Sequence, residues 1–118
     1  AAIEERFPED GIEGEEYGLV RPDAPRRWLL DPVDGTRALI CGLPSWTTLV
    51  ALLEDGEPTH GFIDAPALDE LMIGAPGGSS LNGCAVRTSA CRRIADARFS
   101  TTDPFLFAGT EAEAFTRV

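Results

Sequence analysis

The pattern of this chain implies an α+β fold: a mainly antiparallel sheet layered with a few helices. Three observations carry that expectation. The length of 118 residues, with 43% apolar and 25% charged, suits one domain with a core. Short apolar and β-branched runs recur along the chain, punctuated by Gly, Pro and Asp turn signals. Helical stretches are few and short, and no repeat or low-complexity tract interrupts the series.

The acidic opening AAIEERFPEDGIEGEE, residues 1 to 16, reads as a frayed or helical start, a turn around Pro8 to Gly11 and a short extended piece. Residues 18 to 27, GLVRPDAPRR, hold two prolines and alternating charge and are expected to form a loop. WLL at 28 to 30 begins a strand expected to stop at Asp31-Pro32, because Pro cannot donate a ladder hydrogen bond. DGTRALICGLP opens a short helix that Gly42 and Pro44 end.

SWTTLVALLEDG, 45 to 56, predicts a strand closed by a Glu54-Asp55-Gly56 turn, with EPTHGFIDAP as its returning partner. LDELMIGAP predicts a third strand, and GGSSLNGCAVRTS two turns with a short strand between them. DARFSTTD, 96 to 103, is a further strand candidate, and the terminal TEAEAFTRV is expected to be helical.

Composition narrows the function. A formal charge of −10 argues against nucleic acid or an anionic membrane as partner. A phosphorylated substrate stays compatible if bound cations reverse the local sign. All ten basic residues are Arg, which a biased genome explains more simply than anion recognition does. Cys41, Cys84 and Cys91 are odd in number and lack CxxC spacing. They imply free thiols in a reducing, cytoplasmic setting rather than a disulfide framework. No His or Cys set has zinc spacing, and the single histidine, His60, is expected to be an ordinary strand residue because no triad partner accompanies it.

The chemistry concentrates in WLLDPVDGT, 28 to 36, where Asp31 and Asp34 end an apolar run. Two close carboxylates repel unless a positive charge lies between them. Where the chain turns, both can converge with the Val33 carbonyl, an all-oxygen set suited to Mg²⁺ or Ca²⁺. Gly35 and Thr36 then offer backbone N–H groups to an anion at a helix start. Upstream, Glu15 in GIEGEEYG could complete the oxygen shell and polarise a water, and the Thr36 hydroxyl could help place that water. The plainer readings are an ordinary Asp-Pro/Asp-Gly turn and a solvated acidic loop.

Together, GEE, a loop and WLLDPVDGT resemble the signature of the inositol monophosphatase family of magnesium-dependent phosphatases. The resemblance runs from about FPEDG to STTDP and covers less than half of a complete family member. DGTRALICGLPSWTTLVALLEDGEPTHGFIDAPALDELMIG, with LNGCAVRTS and ADARFSTTDPFLF, is most similar to the histidinol-phosphatase branch. Inositol phosphatases more often carry Asn-Phe where this chain has Ala38-Leu39.

The resemblance implies the family's sugar-phosphatase fold and hydrolysis of a small phosphate monoester. Histidinol phosphate, a step of histidine biosynthesis, is the expected substrate, and inositol phosphate or another small sugar or nucleotide phosphate is the alternative. It implies that Glu15, Asp31 and the Val33 carbonyl hold one Mg²⁺ and that Asp31 and Asp34 share a second. Gly35 and Thr36 would contact phosphate, Glu15 and Thr36 would activate water, and Glu16 would hold a neighbouring water. It further implies a homo-oligomer for the full-length protein.

The family's downstream W-D-x-A motif has no counterpart, since Trp28 and Trp46 are not followed by Asp. Residues 1 to 118 are therefore expected to be the N-terminal metal-binding half of a phosphatase domain, without its preceding helices and C-terminal half. Alone, it is expected to bind the first Mg²⁺ weakly and the second poorly. The competing class is a non-catalytic acidic module that binds cations or a partner protein.

Overall fold

The computed structural model describes residues 2–16, 18–98, 100–101 and 104–117. The chain divides into two compact units, Ala1–Arg87 and Thr88–Val118.

In the first unit a short helix, α1 (Ala2–Arg6), leads through the expected turn into β1 (Gly11–Gly14) and β2 (Gly18–Val20). There follow β3 (Arg26–Asp34), α2 (Thr36–Ile40), β4 (Thr47–Glu54), β5 (Glu57–Ala65), β6 (Glu70–Ala75), β7 (Gly78–Leu81) and β8 (Cys84–Val86). All eight strands form one sheet in the order β2-β1-β3-β4-β5-β6-β7-β8. The β1–β3 pair is parallel and the other neighbours are antiparallel, as the α+β expectation required. From β3 onward the sheet is close to a meander, so its register follows from tight turns. One such turn is Asp55-Gly56, with φ values of 52° and 86°.

Three expectations need correction. Residues 18 to 27 are not all loop: Gly18–Val20 pairs with β1, and β3 already begins at Arg26, opposite Glu54. β3 does not stop at Pro32 but passes through it on a bulge, where the missing N–H costs no ladder bond. Beyond Asn82-Gly83 there is a further strand, β8, because these two residues take positive φ (48° and 79°) and reverse the chain.

In the second unit, the strand expected at 96 to 103 is absent among the described residues, and residues 99, 102 and 103 of that stretch lie outside them. A 3₁₀ turn at Ile94–Asp96 stands at its start. The helical end is present as α3 (Thr110–Phe115), with Phe115 stacked on Phe107 at 4.9 Å between ring centroids.

The sheet has a thin core. Among the described residues Ile12 and Ala65 are its buried apolar side chains, while Ile63, Leu71 and Met72 are exposed. No described helix is long and apolar enough to cross a membrane.

Candidate metal and phosphate site

One polar cluster anchors β1. Asp10 is 4% exposed, and its carboxylate accepts hydrogen bonds from Arg26 Nε (2.8 and 2.9 Å) and Trp28 Nε1 (2.7 Å). Arg21 Nε donates to the Asp10 carbonyl at 2.7 Å. Phe7 stacks on Trp28, with Arg26 over the Phe7 ring. Burial pushes the Asp10 carboxyl up, but the bonds from Arg26 and Trp28 and the charges of Arg26 and Arg21 outweigh it and hold it below the usual carboxylate range. Within the sequence Asp10 is one acid of an acidic stretch. Its partners lie 11 to 18 positions away, so no local pattern singles it out.

With β1 so held, its parallel register against β3 is Glu13 to Leu29 and Gly14 to Leu30. The Glu15 N–H continues that ladder to the Leu30 carbonyl at 3.3 Å, which sets Glu15 beside Asp31. Both residues line one shallow hollow of about 540 Å³, together with Glu13 and apolar side chains of β3, β4 and β5.

The bulge brings in Asp34. Residues three apart on a regular strand face opposite sides of the sheet. Here Asp31 pairs with Leu49 and Asp34 with Thr47, two positions apart on β4, so the two aspartates return to the same side. Register thus assigns Glu15, Asp31 and Asp34 to a single face. Asp31 accepts the Val33 N–H at 3.1 Å through Oδ1, and the Thr36 hydroxyl donates to the Val33 carbonyl at 3.2 Å. The DPVDGT segment is therefore both the turn its dipeptides suggested and a shaped set of oxygens.

Gly35 stands at φ 84°, ψ 39° just before α2. A Cβ there would lie 3.0 Å from the Ser45 carbonyl oxygen, so both conformation and space require glycine. The first N–H groups of α2 have no partner within the helix. Gly35 and Thr36 thus sit where an anion could be met, next to Asp34.

Not everything converges. Among the described residues no three His, Cys, Asp or Glu side chains stand close enough together to form a ready-made metal site. Glu15, Asp31 and Asp34 share a face without being gathered, and Asp34, Gly35, Thr36 and Glu16 do not line the hollow. Glu16 is exposed in the turn after Glu15. The donors are carboxylates and a carbonyl, which suits a hard cation such as Mg²⁺ and not a soft one. His60 lies in β5 with Nδ1 3.1 Å from its neighbour Thr59, away from these carboxylates in sequence and register. The three cysteines are free and exposed.

A profile of the inositol monophosphatase family matches residues 1–113. A bifunctional phosphatase of Arabidopsis thaliana, IMPL2, is 40% identical over 119 residues, covering 98% of this chain and 34% of the relative. A histidinol-phosphatase of Mycobacterium tuberculosis is 46% identical over 70 residues, 59% of this chain and 27% of the relative. A solved inositol monophosphatase from Zymomonas mobilis superposes with a TM-score of 0.80 at 45% identity, over 91% of this chain and 41% of that one. The chain spans about a third of the length of the curated relatives it matches.

Proposed function

Because this chain belongs to the inositol monophosphatase family, we propose that it carries metal- and phosphate-binding residues of a phosphomonoesterase acting on a small phosphorylated metabolite. Histidinol phosphate is the proposed substrate and Mg²⁺ the proposed cation. The observation that carries this reading is the register: a parallel ladder and a bulge assign Glu15, Asp31 and Asp34 to one face. The histidinol-phosphatase names among the relatives support the substrate, whereas the inositol-1-monophosphatase name favours inositol phosphate as the alternative.

On this reading Glu15, Asp31 and the Val33 carbonyl would hold one cation, and Asp31 and Asp34 would share in a second. Bound there, a divalent cation supplies positive charge that neutralises the phosphate oxygens and lowers the pKa of water. The remaining work falls to the chain. Glu15 accepts a proton from the water as its oxygen bonds to phosphorus; the ester P–O bond breaks and the alcohol leaves, taking up a proton from solvent. The Thr36 hydroxyl donates its hydrogen bond to the Val33 carbonyl, so its lone pairs are left to accept from that water and orient it. The Gly35 and Thr36 N–H groups donate to the phosphoryl oxygens, and Glu16 holds a water beside them. Phosphoryl transfer asks mainly for such positioning and electrostatics. The exposed free thiols suit a reducing compartment such as the cytoplasm, and a homo-oligomer is the proposed state of the full-length protein.

The test is Mg²⁺-dependent phosphate release from histidinol phosphate, with inositol 1-phosphate in parallel, a chelator arm and Asp34→Asn as control. Release that is selective for histidinol phosphate and lost in both controls is the expected result. Equal or greater release from inositol 1-phosphate overturns the substrate. No release from either overturns catalysis by this chain alone and marks its site as incomplete, with the family membership unaffected.

A further inference from the structure

We infer that Thr48 is a positioning residue for the two-aspartate bulge: its hydroxyl holds the Pro32 carbonyl and so keeps Asp31 and Asp34 on one face of the sheet. The inference deepens the proposed function and rests on it for the cation, but not for the geometry. Nothing in the residue pattern singles Thr48 out, since it lies within an ordinary β-branched run.

The ladder between β3 and β4 pairs Asp31 with Leu49 and Asp34 with Thr47. Two residues of β3, Pro32 and Val33, therefore stand opposite the single residue Thr48. Such a bulge interrupts the ladder and leaves its extra residue without a backbone partner. The Thr48 hydroxyl fills the gap, donating to the Pro32 carbonyl at 2.8 Å. On its other side Thr48 pairs with Asp64 in the unbroken Thr48–Leu52 run of the β4–β5 ladder, so the hydroxyl is delivered from a strand paired on both sides. The Val33 side of the bulge is tied locally, by its N–H to Asp31 and its carbonyl to Thr36. Thr48 thus supplies the described tie from the neighbouring strand to the two bulged residues.

A competing register explains why this tie matters. Sliding β3 by one residue to absorb the bulge would restore regular pairing, and Asp34 would then face away from Asp31. The half-buried Pro32 carbonyl would keep its partner in that case only if the ladder provided one. With Thr48 in place the bulged register satisfies it, and the aspartates stay together.

The test uses Thr48→Val, which keeps β-branching and volume, and Thr48→Ser, which keeps the hydroxyl. Mg²⁺ binding is followed by calorimetry, and the backbone amide resonances of residues 31 to 36 by NMR without metal. Thr48→Val is expected to weaken Mg²⁺ binding by roughly tenfold, the worth of one hydrogen bond at the upper end, and to shift those amides. Thr48→Ser should restore both to within about twofold of the parent, as expected if the hydroxyl is the cause.

Unchanged affinity in Thr48→Val, or equal loss in Thr48→Ser, overturns the inference while leaving the proposed function standing. If the parent chain binds no Mg²⁺, the proposed function falls and the amides decide alone. Shifts in Thr48→Val that Thr48→Ser reverses uphold the positioning role, and unmoved amides overturn it. Should Thr48→Val fail to fold, Thr48→Ser decides: parent-like affinity and amides support the role of the hydroxyl, and loss of either overturns it.

Discussion

Replacing Asp10 tests how β1, and through it Glu15, is held. Asp10→Ala removes the acceptor for the Trp28 indole N–H and the Arg26 guanidinium at the start of the sheet. A donor left unpaired costs about 1–3 kcal/mol when buried, an upper limit for the half-buried Trp28 and Arg26. Losing the carboxylate itself adds to this, although the Arg26 side chain is 43% exposed and water can solvate what it leaves. The expected loss is roughly 2–4 kcal/mol for Asp10→Ala, and about half of that for Asp10→Asn, which retains one acceptor oxygen. For a chain with so thin a core this is a large share of total stability.

The pH dependence follows from the same contacts. The folded Asp10 carboxyl ionises below its ordinary value, so its contribution is complete above the unfolded value of about 3.9. It is lost as pH falls through the lower folded value. Urea unfolding followed by tryptophan fluorescence and circular dichroism, at pH 7 and again below pH 4, measures both effects. The gap between the parent and Asp10→Asn should narrow at the lower pH. An Asp10→Ala chain within about 0.5 kcal/mol of the parent, the scatter of an ordinary surface change, would refute the reasoning. So would a gap that pH leaves untouched.

Three other outcomes are expected. Gly35→Ala places a Cβ 3.0 Å from the Ser45 carbonyl in a left-handed conformation, and should cost at least about 1–2 kcal/mol and lower Tm by several degrees in a thermal melt. Asn82→Ala removes the bonds from the Leu71 N–H and to the Asp69 carbonyl, both 2.7 Å. It should destabilise by about 1–3 kcal/mol, with faster amide exchange at Leu71 as the local readout. The exposed Ile63, Leu71 and Met72, on a sheet that ends in β2 and β8, should drive self-association. Sedimentation should show mass rising with concentration and Met72→Lys reducing the effect, whereas a clean monomer throughout would count against it.

What is local in this protein was written in its residue order. Turn pairs such as Asp55-Gly56 mark hairpins because few residues tolerate the backbone they need, and the runs between them alternate as strands. Asp31, Asp34, Gly35 and Thr36 are recognisable as candidate metal and phosphate contacts because six adjacent positions carry the whole motif. Contacts that cross the chain left no such mark. Pro32 looked like a strand end because a proline's missing N–H is visible in sequence, while the hydroxyl of Thr48, sixteen positions on, is not.

Likewise Gly18–Val20 looked like loop because three residues gain strand character only from the β1 edge beside them. Asp10 gave no signal until Arg21, Arg26 and Trp28 folded onto it. Residue types decide which chemistry is available to this chain, since oxygen donors and turn formers act through their own atoms. Which of them share a face is decided only by strand pairing, because a one-residue change of register reverses every side chain.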